Sequence, residues 1–455
     1  MNAETIHGTF DWPLAYEAED LLRKFILAFL EKNQFAGHLA ERMSQDTGTD
    51  FFEWVDYITV TPDNLLEFQQ VGFVPDHAGP DADVYYHSKA ILPRVLVRKE
   101  GVPKVLAIRP ESIVDFVARH NLGVEIQGDF GSRFRQILVS EQDSHRFLAV
   151  ERLAYQGYAA QPIEPGFVEA LIQVKELWRT RKRFFPDETK AVAHAFELQK
   201  QTIQLVGPDI ACELFFTEER SYWEMRNRAG QIQKRRQDLL GLGWGNHDHH
   251  TFRCSRRFFS DLMEFLLGFG FEKRERYYAG TEAGWGAQIL EHHTTGITVF
   301  ADVDLMPEET EIDFSNQRLP ETSRLKTVGL WCGLHGDSFL QAGMHHLEAR
   351  FDFSLLRDQL ANNGVKTMKP FSDFEFLKQA FTEGEWWAVS DVRIDALLNK
   401  KLITEEQAAN FKRDGAVGSH LENLQRKGGF KGFNQKSVSV IIEATNPLAL
   451  QPTHS

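Results

Sequence analysis

Apolar positions change period along this chain, and the change recurs. YEAEDLLRKFILAFLEKN carries apolar residues every three or four positions, which predicts helix over residues 14–45. Val55, Tyr57 or Ile58, and Val60 then alternate as in a strand. Pro62-Asp63-Asn64 opens a second helical pattern, and Gly72 stands where a C-terminal cap belongs. From Lys104 the run KVLAIRPESIVDFVARHNLGV repeats that order: strand, Arg-Pro, helix, Gly123. Two further runs repeat it again, NHDHHTFRCSRRFFSDLMEFLLGFGF from Asn246 and GMHHLEARFDFSLLRDQLANNGV from Gly343. Four copies of one strand–helix–strands unit are therefore expected.

Other segments break the repeat. FVEALIQVKELWRTRKRFF and SYWEMRNRAGQIQKRRQDLLGLGW keep helical spacing, so about 165–240 reads as a helical insertion. Residues 306–327 are acidic and then polar, which predicts a surface loop. Within 396–435, Thr404-Glu405-Glu406-Gln407 is a capping-box pattern. Gly428-Gly429-Phe430-Lys431-Gly432-Phe433 follows it and predicts a mobile loop near the site. The expected organisation is a helical segment at 1–50, a module pair without metal ligands at 51–160, a helical insertion at 161–243, and a metal-binding module pair with a C-terminal helix and loop at 244–455. The expected fold class is α+β, built of repeated strand–helix–strands modules with a helical insertion.

Composition narrows the function classes. The 455 residues allow about three domains at roughly 150 residues each. A net charge of −14 argues against nucleic acid as a partner. The basic runs at Arg179–Arg183 and Lys234–Arg236 read as solvated helix faces. Cys212, Cys254 and Cys332 are odd in number and far apart, which fits a reducing cytoplasm rather than a disulfide framework. No run of 18 apolar residues occurs, and MNAETIHGTFDW lacks the pattern of a signal peptide, so no membrane partner is expected. Oligomeric state stays open, a homo-oligomer included.

The chemistry gathers at the third and fourth copies, each of which opens on paired imidazoles: His249-His250 and His345-His346. Imidazole is the commonest protein ligand of a transition metal, and one from each copy would make a site between them. Neighbouring strand residues point to opposite faces. His250 and His346, each just before the apolar stretch, are taken as the inward members, with His249 and His345 as alternatives. A carboxylate would complete the set. Asp391, about one repeat-length beyond His346, is preferred; Glu291, at the end of WGAQILE, is the other candidate, and Glu383 and Glu385 are weaker. Arg350 shares strand parity with His346 and is the preferred clamp for a substrate carboxylate, with Arg253 as its counterpart. Tyr277-Tyr278 with Ala283-Gly284-Trp285-Gly286 suits a pocket wall or an aromatic hairpin. Asp56 and Ala107 occupy the corresponding places in the first two copies, which predicts a retained fold without the metal. Each of these residue types also has an ordinary structural use: a core histidine, a surface carboxylate, a salt-bridged arginine. Phosphate-loop, dinucleotide-binding, H-E-x-x-H and paired C-x-x-C motifs are all missing.

These residues resemble the vicinal oxygen chelate superfamily, whose paired modules cup a sheet around a metal. Residues 247–300 and 340–411 resemble the 2-oxoadipate dioxygenase/decarboxylase (hydroxyglutarate synthase) family. The match is carried by His250 ahead of a strand and helix, Tyr277-Tyr278 with Ala283-Gly284, His346-Leu347 with Arg350, and Asp391 ahead of a Leu-Ile-Thr helix start. In that family two His and a Glu bind Fe(II), and an Arg near the first His helps hold the 2-oxo acid. The resemblance implies a divalent metal, Fe(II) foremost, and a small substrate bearing a carboxylate or vicinal oxygens. A redox-neutral lyase, isomerase or hydrolase using Zn, Mn, Ni or Co, with Glu291 as general base, is the second reading. A non-catalytic small-molecule binding protein is the third.

Overall fold

A computed structural model of the chain describes residues 12–78, 82–98, 103–278, 284–309, 312–322, 324–434 and 445–448. Two sheets carry the architecture. The first holds β1 (Val55–Val60), β2 (Phe73–Ala78), β3 (Asp83–His87), β4 (Arg94–Val97), β5 (Lys104–Ile108), β6 (Phe134–Gln142) and β7 (His145–Arg152), in the order β2-β3-β4-β1-β5-β7-β6. The second holds β8 (His247–Arg253), β9 (Glu272–Tyr278), β10 (Trp285–His292), β11 (Ile297–Asp304), β12 (His346–Arg350), β13 (Ser372–Phe374), β14 (Leu377–Phe381), β15 (Glu385–Trp387) and β16 (Ala416–Arg426). Its order is β13-β14-β16-β12-β8-β11-β10-β9, with β15 paired to β16.

Each sheet is two modules placed back to back. A module opens with a strand, crosses over through a helix, and returns so that its last strand lies parallel to its first: β1 with β4, β5 with β7, β8 with β11, β12 with β16. The two first strands meet antiparallel at the centre, β1 against β5 and β8 against β12. The crossover helices are Pro62–Gln70, Ile113–His120, Phe259–Gly268 and Phe353–Asn362. Their starts follow local chemistry. Pro62 occupies the first helical position, where its missing N–H costs nothing, and the Ser112 and Asp352 side chains accept from Asp115 N and Leu355 N. Gly72 takes φ 101° after the first helix, whereas the second is closed by Asn121 at φ 51°, ahead of the expected Gly123.

Strand alternation sorts the side chains. In the first sheet Ile58, Val60, Leu106 and Ile108 pack under the module helices with Leu22, Ile26 and Phe116. The opposite face is filled by Tyr57, Val105, Ala107, Phe134 and Val150, and Asp56 is ion-paired to Arg152 at 2.7 Å. Ala107 thus lies in an apolar cluster and Asp56 in an ion pair. In the second sheet Phe252, Val299, Ala301, Leu347, Ala349 and Leu421 face the helices, including Phe215 and Phe216 of the helix Pro208–Glu224. The remaining face is polar at its centre.

The helical stretch forms four helices, Phe167–Arg179, Glu188–Val206, Pro208–Glu224 and Arg228–Asp238. Residues 306–327 are not wholly a surface loop, because Glu309 is buried against Arg256 at 2.5 Å. The capping box at Thr404–Gln407 is present. Among the described residues no helix is long and apolar enough to cross a membrane.

Candidate metal centre

Three neighbouring strands, β8, β12 and β16, bring the site together. Antiparallel pairing sets His249 opposite Glu348, and parallel pairing sets Glu348 opposite Glu422. These three stand in a row across the sheet. His346 lies two residues from Glu348 on β12 and therefore projects from the same face. Donor atoms of His249, His346 and Glu422 lie within 4.8 Å of one another, and so do those of Asp248, His249 and Glu348. His346 Nε2 is 3.1 Å from Glu422 Oε2, and His249 Nε2 contacts Glu348 Oε2. Gln379 Nε2 donates to Glu348 Oε1 and to Glu422 Oε1, each at 3.1 Å, and ties the two carboxyl groups together.

Burial sets the charge states. It holds His249 below the usual histidine pKa and His346 well below it, with the Arg253 charge adding to the effect at His346. Both imidazoles are therefore neutral, the form that binds a metal. Burial raises the Glu422 carboxyl to about 7. It raises Glu348 well above the ordinary carboxylate range, and the like charge of Glu422 adds to this. Among the described residues neither Glu348 nor Glu422 forms an ion pair with lysine or arginine. The raised carboxyl pKa values reflect the missing counter-charge, and two neutral imidazoles beside a carboxyl group are a donor set able to hold a divalent transition metal.

Asp248 behaves differently. Burial opposes its ionisation, but Arg426, the bond to His249 and Arg350 together hold its pKa well below the usual value. Its Oδ1 lies 3.2 Å from His249 Nδ1 and accepts from Arg426 Nη2 at 3.0 Å. A carboxylate on Nδ1 keeps the proton there and leaves Nε2 free for an ion. Asp248 is thus committed behind the ring, and His249, His346 and Glu422 line the cavity.

That cavity has a volume of about 80 Å³. Tyr277, Trp285, Phe300, Phe371, Phe381 and Phe433 wall it, and the Phe300 ring stacks on His249 at 4.2 Å. Phe433 belongs to the Gly-rich segment, which Arg426 anchors through the carbonyls of Phe430 at 3.1 Å and Gly432 at 2.6 Å. Arg253 also lines the cavity. Its Nη2 donates to Thr445 Oγ1 at 2.9 Å, while Nε and Nη1 have no hydrogen-bond partner among the described residues. Burial pulls its pKa down to about 10, and Asp302 beside it is raised by burial to about 7.

The sequence expectations sort accordingly. His346 stands in the cluster. His250 does not: strand parity turns it to the helix side, where it packs on Phe216 at 5.1 Å and lies 3.3 Å from Arg220 Nη1. The inward member of that pair is His249. Asp391 is not at a strand end but opens the exposed helix Asp391–Asn399, outside the cluster. Glu291 sits on β10, paired with Arg274 at 2.6 Å and Lys431 at 3.0 Å, and is spent on those cations. Glu385 accepts from Arg228 N at 2.9 Å. Arg350 pairs with Glu53 at 3.0 Å, away from the cavity, so Arg253 is the arginine beside the donors. Ala283 lies outside the described residues. Glu422 was not anticipated, yet a signal exists: His420-Leu421-Glu422 repeats His346-Leu347-Glu348, and the parallel ladder sets the two triplets side by side.

No family model matches the chain, and no curated protein matches it. Among solved structures it is similar to a mutant of 4-hydroxymandelate synthase from Streptomyces coelicolor, at 14% identity over 86% of this chain and 97% of that one, with a TM-score of 0.29. It is similar to methylmalonyl-CoA epimerase from Mycobacterium tuberculosis at 10% identity, over 40% of this chain and 88% of that one, TM-score 0.23. For the Streptomyces coelicolor epimerase in complex with 2-nitronate-propionyl-CoA the values are 14% identity, 40% and 96% coverage, and a TM-score of 0.21.

Proposed function

We propose that the chain is a metal-dependent enzyme of the vicinal oxygen chelate type, a non-haem Fe(II) dioxygenase/decarboxylase acting on a 2-oxo acid. The observation that carries this reading is the convergence of His249, His346 and Glu422 on one buried point. Two imidazoles and one carboxylate are the donor set of non-haem Fe(II) oxygenases. Iron held there would supply open coordination positions for the 2-oxo acid and for dioxygen. The chain's own residues supply the rest. Arg253 offers two unpartnered donors at the cavity, suited to a substrate carboxylate. The aromatic wall keeps water away from the reacting end. Asp248 and Gln379 orient His249 and the two carboxyl groups.

The test is elemental analysis of untagged protein, followed by an oxygen-electrode screen of 2-oxo acids. The expected result is about one iron per chain and oxygen uptake that depends on the 2-oxo acid, with both lost in the His249→Ala/His346→Ala double variant. Full metal content in that variant would overturn the assignment. Oxygen-independent turnover with another divalent metal would move the chain to the redox-neutral reading.

A further inference from the structure

A second cavity, of about 340 Å³, lies away from the aromatic cup, where the two sheets and the helix Pro208–Glu224 meet. It takes residues from the approach to β1, from Arg109 just after β5, from Glu213 and Arg220 on the helix, and from Trp244–His247 at the start of β8. Five arginines and four acidic residues line it: Arg94, Arg109, Arg152, Arg220 and Arg350 against Glu53, Asp56, Glu111 and Glu213.

Most of these charges are matched. Arg152 pairs with Asp56 at 2.7 Å, Arg350 with Glu53 at 3.0 Å, and Arg94 with Asp76 at 3.1 Å, while Glu111 lies 3.5 Å from Lys234. Arg109 and Arg220 are not. Among the described residues the Arg109 guanidinium has neither a hydrogen bond nor an ion pair; the residue is half-buried, and desolvation lowers its pKa. Arg220 is 4% exposed; among the described residues it reaches only the ring of His250 and the Thr217 hydroxyl, at 3.3 and 3.2 Å, and its Nε has no partner. Of the lining acids only Glu213 is unpaired among the described residues, and its charge acts on Arg109. Trp54 Nε1, on a residue that is 1% exposed and lines the same cavity, also has no acceptor among them.

Arginine does not shed its proton at physiological pH, and a buried charge without a partner is costly. Arg220 is such a buried charge, and the partly exposed Arg109 adds a second cation beside it; against the single carboxylate of Glu213 they leave the cavity one negative charge short. Its size exceeds that of a water cluster bridging two side chains, and Trp54, Trp244, Ile91 and Leu92 add apolar wall. We infer that this cavity is a second ligand site, which binds a small oxyanion, carboxylate or phosphate, between Arg109 and Arg220.

The inference is independent of the metal reading, and the experiment keeps them apart. Inorganic phosphate and malonate are titrated separately, by calorimetry, into the full-length wild type, an Arg109→Met variant and a His346→Ala variant. Arg109 holds no hydrogen bond or ion pair among the described residues, and Arg220 remains beside Glu213, so the Arg109→Met fold is expected to persist; thermal melting checks this. The expected result is saturable binding of one equivalent of at least one anion by the wild type, weakened at least tenfold in Arg109→Met and unchanged in His346→Ala. Malonate binding alone identifies an organic acid as the ligand class, and phosphate binding alone a phosphate. Failure of both anions to bind the wild type, equal binding by a folded Arg109→Met variant, or loss of binding in His346→Ala would each overturn the inference.

Discussion

Replacing Asp248 with asparagine separates the two donor sets that share His249. Asparagine keeps the shape of the side chain and removes the charge that holds the proton on His249 Nδ1, 3.2 Å away. Outer partners of this kind are worth about 10–100-fold in metal affinity, or about 1.4–2.7 kcal/mol. The change also leaves Arg426 without the carboxylate that it meets at 3.0 Å. Breaking a buried pair costs about 3–5 kcal/mol. Arg426 keeps the carbonyls of Phe430 and Gly432, so the lower end, about 3 kcal/mol, is expected for the metal-free protein. Competition with a fluorescent chelator measures the first effect, and urea unfolding in EDTA measures the second. An unchanged metal affinity would refute the orienting role. A loss beyond about 1000-fold, well outside the range for outer partners, would place Asp248 in direct contact with the ion, alongside Glu348.

Two further substitutions test other parts of the chain. Arg253→Met removes two donors, Nε and Nη1, that have no partner among the described residues and is expected to raise KM for the proposed 2-oxo acid by about 1.5–3 kcal/mol, roughly 10–150-fold, with a smaller change in kcat; an unaltered KM would remove Arg253 from substrate binding. Glu219→Gln cuts a fully buried carboxylate from Arg181 at 2.9 Å and Arg183 at 2.6 Å and is expected to cost about 3–5 kcal/mol in urea unfolding. Burial opposes ionisation of Glu219, but the two arginines outweigh it and lower its pKa, so this stabilisation is fully present above the unfolded-state value of about 4.3 and disappears as pH falls through the lower folded value. The gap between wild type and variant should therefore close on acidification below about pH 4, and a gap that stays constant to about pH 2 would contradict the ion-pair account.

The modules were legible because their signals are local. Alternation at Val55–Val60, Pro62 at a helix start and Gly72 after its end act over a few residues and do not depend on tertiary context. The site was only half legible. In β8 every residue from His249 to Arg253 is buried, so hydrophobicity does not mark which face is the cup, and alignment with His346, as the residue just before the apolar stretch, put His250 there. What separates the two histidines is distant in sequence: Phe216 and Arg220 on one side, Phe300 and Glu348 on the other. Glu422 was missed for a related reason. AVGSHLENLQR is buried on both faces and lacks the alternation of a half-exposed strand, so β16 did not register as a strand, and the end of the module was placed at Asp391.

The donors stand on neighbouring strands in the middle of a nine-stranded sheet, so their spacing is that of a ladder rather than of a loop. Such a template exists before any ion arrives. The cost of ordering the donors falls on folding of the chain, and capture of the ion adds little to it. Metal-free and metal-loaded protein should then share one backbone, with ion exchange governed by passage through the aromatic mouth rather than by opening of the sheet.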